Sequence, residues 1–343
     1  MKRFKSQSIL ASIILTSLVT FSCSDDDSNK PGAMSTTTVY ASNNANGNIT
    51  SYDVTDASNI TTKTLLTSST MADGIYYDSS SDAVIQASRS GLGLEGFSNI
   101  SSLMSGASVT ADISGTNDMS SPRELAVNGN MYVVADNADA DGNDTTPDGK
   151  LFIYTKSGNT FTLRNTITTN FKLWGITFDG NDLYAIVDTT NELAVYNNFL
   201  SNTTDATLSA SKQIKIEGIV RTHGLTYDAG SDVMILTDIA DAANKEDDGG
   251  FHIIENFTSK FASTANNGTL ALSNQVRVAG SSTRLGNPVD VAYDADTKMV
   301  FIAEAGNAGG RILAFNNIGS GGNLAPAVNN DLASASSVFI TKN

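Results

Sequence analysis

Short runs of apolar and aromatic residues, each ending in a small or acidic residue, recur along the chain at a nearly constant interval. They read TTVYAS (37–42), AVIQAS (83–88), MYVVAD (131–136), LYAIVD (183–188), VMILTD (233–238) and MVFIAE (299–304). Their last residues, Ser42, Ser88, Asp136, Asp188, Asp238 and Glu304, are 46, 48, 52, 50 and 66 positions apart. Five of the six follow a second apolar run: GIYYD (74–78), ELAVN (124–128), GITFD (175–179), GLTYD (224–228) and DVAYD (290–294). A short polar turn such as Asp179-Gly180-Asn181-Asp182 joins each pair, which predicts a β-hairpin. A third run comes after each hairpin, for example KLFIYT (150–155) and ELAVYNNF (192–199). A fourth, more polar and alternating, completes the unit, as in FTLRNTI (161–167) and KQIKIEG (212–218). The segments between carry no helical period of useful length.

The repeat is thus four antiparallel strands over about 50 residues, six times over. A sheet of that size cannot bury both its faces alone, so neighbouring units must stack. Radial stacking of four-stranded blades also protects sheet edges, which predicts an all-β fold, a six-bladed β-propeller spanning residues 36–343. Ile75, Leu125, Ile176, Leu225 and Val291 fall two places before Tyr77, Val127, Phe178, Tyr227 and Tyr293, on one strand face turned toward the next blade. The first unit lacks an inner strand. The C-terminal segment, 333–343, either closes that gap or forms the outer strand of the sixth unit, and chain order favours the sixth.

The first 22 residues follow a different pattern. Lys2, Arg3 and Lys5 precede an apolar stretch from Ile9 to Phe21, then Ser22 and Cys23. A charged start, a short apolar middle and a small-residue stop make a secretory signal, and the stretch is too short to span a bilayer. The only cysteine of the chain sits at the cleavage point, followed by a Ser-Asp-Asp-Asp run and a polar tether, 23–35. This arrangement resembles lipoprotein signals of the Bacteroidota. That likeness implies lipidation of Cys23 and anchoring to the outer membrane of a bacterial envelope, exposed at the surface.

Composition narrows the chemistry. With one cysteine, there is no internal disulfide framework and no multi-cysteine metal site. A formal net charge of −15 argues against nucleic-acid binding and favours cationic partners such as calcium, or simply solubility.

The strand motifs of the GIxYD and LYVxD kind resemble those of the six-bladed propellers grouped with NHL-repeat, YVTN-repeat and gluconolactonase-like proteins. The likeness spans nearly all of residues 36–343 and speaks to the fold, since one propeller scaffold hosts hydrolases and binders alike. Gluconolactonase-like enzymes hold a divalent metal in the channel. Their Glu-Gly-Pro opening is absent here, and the first unit lacks the strand to carry it.

Two acidic loops follow second strands. In the first, Asn137, Asp139, Asp141 and Asp148 match the oxygen-ligand spacing of a calcium loop, with Gly142 at the tight turn. A solvated acidic turn explains the same residues without a metal. The second loop, 238–249, is as acidic but has no such register. On the same face, the entrances to the inner strands present Asp73, Arg123, Glu124, Trp174, His223 and Asp290. Trp174 could stack on a sugar, Arg123 and Glu124 could supply polar contacts, and Glu124 with Asp290 could share a cation or pair with Arg123. No GxSxG elbow accompanies them. Two functions follow: a non-catalytic binding module for a glycan, peptide or protein, or a metal-dependent lactone hydrolase acting in the channel. The missing nucleophile and metal-ligand spacing favour binding.

Overall fold

The computed structural model describes residues 36–143 and 145–343. The expected signal peptide, the lipidation site Cys23 and the tether lie outside the described residues. The chain is all-β, with 49% strand and 7% helix.

Hydrogen bonding joins the strands into five sheets of four, nine, five, four and four strands. The nine-stranded sheet contains two antiparallel quartets, Ala72–Asp78 to Ile113–Ser114 and Pro122–Asn128 to Thr160–Thr169. A single parallel pairing, Ser114 with Thr160, joins them. Within each hairpin the register follows the sequence turns: Asp78 pairs with Ala83 and Asp179 with Asp182. Second strands such as Ala83–Ser88, Val233–Asp238 and Met299–Glu304 are buried along their whole length. Sheets cover them on both faces, which is why they read as nearly unbroken apolar runs.

Side chains from adjacent sheets form the core. One cluster joins Val133 and Leu151 to Ile176 and Leu183; another joins Ile186 and Leu193 to Leu236 and Phe257. The last such contact brings Ala292, Met299 and Phe301 against Val39, Ala41 and Tyr52, so the final sheet packs on the first. Each fully buried Phe or Leu in these seams is worth about 1.5–3 kcal/mol.

The C-terminal strand corrects the expectation drawn from chain order. Ala335–Lys342 pairs with Thr37–Asn43, aligning Ile340 with Val39 and Val338 with Ala41. The outer position of the last sheet is taken instead by Val328–Asp331, paired with Arg311–Phe315. An unpaired edge of the first sheet would leave backbone N–H and C=O groups without partners, and the eight-residue alternating segment satisfies them. Reciprocal Thr36–Asn343 amide bonds of 3.0 Å clamp the two ends of the domain together.

A recurrent wedge was not foreseen. Third strands end in Asn-Ile or Asn-Phe, and Asn99, Asn198, Asn256 and Asn317 all adopt left-handed backbone with φ of 57, 48, 51 and 54°. Asn tolerates that region better than most residues. The turn drives Ile100, Phe199, Phe257 and Ile318 into the seams, each 5% exposed or less. After Asn256 the wedge extends into the helix Phe257–Ser263, where sequence periodicity predicted none.

Candidate functional site

The inner strands converge on a channel, and their first residues build two layers. The outer layer lies at the mouth and forms an unbroken chain of contacts. Asp73 accepts a hydrogen bond from the Asn44 amide at 2.6 Å and pairs with Arg123 at 3.4 Å and Arg89 at 3.6 Å. The Arg123 guanidinium sits 4.5 Å from the centre of the Trp174 ring. On Trp174 the His223 ring stacks at 3.8 Å with an interplanar angle of 3°. His223 Nε2 lies 3.3 Å from Asp188, which also receives Arg221 at 2.9 Å and the Asn137 amide at 3.0 Å. The order is Arg89, Asp73, Arg123, Trp174, His223, Asp188, Arg221.

This arc corrects one expectation. His223 and Arg123 cannot share one ring face at these distances, so both faces of Trp174 are covered and no platform remains for a sugar. Charge follows from neighbours. Burial alone would raise Asp188, but the bond and charge of His223, together with Arg221 and Asn137, hold its carboxyl well below the usual range. Burial pushes the His223 imidazole down, against the pull of Asp188. Burial likewise pushes Asp73 up despite its two arginines.

The inner layer is one residue further along each strand. There Gly74, Glu124, Gly175, Gly224, Asp290 and Ser337 precede Ile75, Leu125, Ile176, Leu225, Val291 and Val338. At the glycines adjacent strands abut: a Cβ on Gly175 would lie 2.5 Å from the His223 carbonyl, and one on Gly224 2.5 Å from Asp290 Cα. Only Glu124, Asp290 and Ser337 therefore put side chains in this layer. The Ser337 hydroxyl accepts from Ile75 N at 3.3 Å, donates to Asp290 at 2.7 Å and lies 3.5 Å from Glu124. Val338 N also donates to Asp290, at 2.8 Å. Both carboxyls border a cavity of about 240 Å³, whose wall includes Tyr76, Thr177, Thr226 and Phe339. Burial, then the charge of Asp290, pushes Glu124 well above its ordinary range, and burial lifts Asp290 to about 7. Neither pairs with Arg123, whose partner is Asp73; Glu124 and Asp290 belong to the channel wall rather than the mouth.

The acids at the ends of second strands mostly serve the backbone. Asp136 accepts from the amides of Ser120, Ser121 and Ala138. Asp238 accepts from Val220, Arg221 and Ala240, and Glu304 from Gly286, Asn287, Gly306 and Asn307. They tie the mouth loops together. Only Asp188 turns to side chains of the arc. Sequence reasoning missed Arg89 and Arg221. The signal was their place, one residue after Ser88 and two before His223.

In the first acidic loop Asp139, Asp141 and Asp148 bring carboxylate oxygens within 4.8 Å of one another, the only such acidic or histidine cluster among the described residues. Asp139 accepts amide bonds from Gly142 at 2.6 Å and Asn143 at 3.0 Å. Asn137 reaches to the next inner strand. Its amide donates to Leu173 O at 2.5 Å and to Asp188, anchoring the loop to the arc. His252, mid-strand, hydrogen-bonds Gln275 at 2.7 Å and is fully buried.

No family model matches the chain. No curated protein matches it either. Among solved structures, the crystal structure of a nidogen/laminin complex aligns with a TM-score of 0.57 at 13% identity, covering 89% of this chain and 98% of that one. The fold is β-propeller-like. The computationally designed Ika8 protein aligns at a TM-score of 0.42 and 8% identity, over 87% of this chain and 76% of that one.

Proposed function

We propose that this chain is a lipid-anchored, surface-exposed binding protein of the bacterial envelope, a six-bladed propeller of four-stranded blades that binds a glycan, peptide or protein at its channel mouth without turnover. The blade count is supported by the strand quartets and by core seams that run between neighbours and back to the first sheet. The observation that carries the binding reading is the arc itself. Seven side chains from several blades are locked by mutual contacts, which pre-organises a polar surface at low entropic cost. Membrane attachment through lipid on Cys23 rests on the signal-like N-terminus.

The lactone-hydrolase alternative would draw on Glu124 and Asp290. Among the described residues no third carboxylate or histidine joins them in a metal-binding group, and the one hydroxyl bonded to them, Ser337, has no histidine among its hydrogen-bond partners. Calcium is assigned instead to Asp139, Asp141 and Asp148, as a stabiliser of the loop that Asn137 ties to the arc.

Glycan and peptide arrays probed with wild type, Arg123→Ala and Trp174→Ala test the reading. Selective binding by wild type, lost or weakened at least tenfold in both variants, is expected, with no turnover in an ester and lactone screen. Binding retained in both variants would move the ligand away from the mouth. Calcium-dependent turnover that vanishes in Glu124→Gln or Asp290→Asn would promote the hydrolase. Release of the protein from membranes by Cys23→Ala tests the anchor.

A further inference from the structure

We infer that the channel below the arc is a second binding site, one that takes a linear aliphatic amine with its ammonium group against Glu124 and Asp290. This site stands whatever the mouth binds. The cavity of about 240 Å³ begins at the two carboxyls, and none of Asp73, Arg123, Trp174 and His223 lines it. Its wall follows the inner strands away from the mouth, as far as Val127, Phe178, Tyr227 and Ile340. Burial relaxes along that course. Ile75, Leu125, Ile176, Leu225, Val291 and Val338 are buried, whereas Tyr76, Val127, Phe178, Tyr227 and Ile340 are half-buried. The cavity therefore opens at the far ends of the strands, on the side away from the arc.

The inner end calls for a cation. Glu124 Oε1 accepts from Leu125 N at 2.9 Å. Ser337 has a single hydroxyl hydrogen, directed to Asp290 at 2.7 Å, so Glu124 Oε2, 3.5 Å from the same hydroxyl, is left without a donor. No lysine, arginine or histidine forms an ion pair with either carboxyl among the described residues, and the charges acting on Glu124 are those of Asp290 and Asp73. Two acids flanking one hydroxyl in a buried layer resist ionising together, and a cation between them removes that penalty.

The rest of the wall selects the class of cation. Calcium takes six to eight oxygens, and Glu124 and Asp290 belong to no metal-capable group of three among the described residues. Beyond the carboxyls the wall is mainly apolar, with Leu125, Ile176 and Leu225, and with the rings of Tyr76 and Phe339 4.8 Å apart. An alkylammonium divides in the same way, with three N–H donors at one end and methylenes along the rest. The way in is acidic as well. The inner strands end at Asp78, Asn128, Asp179, Asp228, Asp294 and Lys342. Lys156 pairs with Asp78 at 3.0 Å and Lys342 with Asp294, but Asp179 and Asp228 are in no ion pair among the described residues. Asp182 and Asp232 add negative charge beside Asp179. From Glu124 to Asn128 the strand rises about 13 Å, farther than the four-carbon stem of a lysine on a docked protein reaches. The ligand is therefore a free amine.

Titration calorimetry at about pH 8 tests the site, since Asp290, lifted to about 7, is then largely ionised and an alkylamine is still charged. The probes are pentylamine, 1-pentanol and the acetylated, amidated peptide Gly-Gly-Lys-Gly-Gly. Pentylamine should bind saturably, and pentanol and the peptide at least tenfold more weakly. Glu124→Gln and Asp290→Asn keep side-chain oxygens for the Leu125 and Val338 amides, and each should weaken pentylamine at least tenfold with the fold retained. Thr226→Phe, which narrows the wall and replaces neither carboxyl, should weaken it too, because the amine lies inside the channel. No saturable heat with pentylamine, equal affinity for pentylamine and pentanol, or unchanged affinity in Glu124→Gln would overturn the inference. A peptide that binds as tightly as pentylamine would overturn the free amine in favour of a partner's lysine. Displacement of pentylamine by stoichiometric calcium would make the carboxyl pair a metal site and overturn it as well.

Discussion

Asp188 and Asp290 lie in adjacent layers of one channel, nearly equally buried at 5% and 3% exposed, and yet they are held at opposite ends of the carboxylate range. Asp188 faces His223, Arg221 and Asn137 and is pushed well below its ordinary value. Asp290 faces a hydroxyl, backbone amides and the carboxyl of Glu124, and is lifted to about 7. Burial alone penalises both; the difference is whether a cation stands on the neighbouring strand. A mouth rich in paired charge and a channel holding under-paired carboxyls are thus one residue apart along each inner strand.

The largest effect should come from taking the counter-charge out of the arc. Asp188→Ala leaves Arg221 without its acceptor and the Asn137 amide with Leu173 O alone, and about 3–5 kcal/mol of stability should be lost in urea unfolding. Because the folded Asp188 lies below its unfolded value, its contribution is present above about pH 4 and fades as pH falls further. The variant should therefore lose less stability than wild type between pH 4 and pH 2.

Asp290 should behave in the opposite sense. Its folded value of about 7 exceeds the unfolded value, so between the two the folded state holds a proton that the unfolded chain has lost. Wild-type stability should then fall as pH rises from about 4 through about 7. Asp290→Asn should flatten that slope and exceed wild type at pH 8 by about 2–4 kcal/mol. Parallel slopes in the two proteins would remove the contrast between the layers.

Calcium offers a third acidic setting, in solvent. Millimolar calcium should stabilise wild type by about 1 kcal/mol, read as a rise in melting temperature. Asp139→Ala with Asp141→Ala should abolish the rise, while Asn137→Ala should keep it, since that amide points at Asp188. Smallest of all is Trp174→Phe, which keeps a ring between Arg123 and His223. It should cost less than about 1 kcal/mol.

Much of the fold was legible. Alternation and turn residues gave the hairpins, and the burial of second strands on both faces explains runs such as VMILTD. The placement of Ala335–Lys342 was not legible, because its alternation suits any open edge and only the unfilled inner position of the first sheet selects among them. The Asn-Ile and Asn-Phe endings were visible as letters, but their role needs the left-handed Asn and the seam that receives the next residue. Of the candidate site, Arg123, Trp174 and His223 did meet. Glu124 and Asp290 belonged one layer deeper, and Arg89 and Arg221 were overlooked because nothing local marks an arginine whose partner lies on another strand.

By itself the sequence determined the strand repeat, the turns and the face of each strand that is buried, because these depend on residues two to four positions apart along one chain. The tertiary structure decided which edge the C-terminal strand fills, which carboxyls gain cations and which stay alone, and that Trp174 has no free face. Those outcomes depend on residues up to about 300 positions apart, Ser42 and Ser336 among them at 3.1 Å, and on distances of a few ångströms over which Coulomb and desolvation energies change sides.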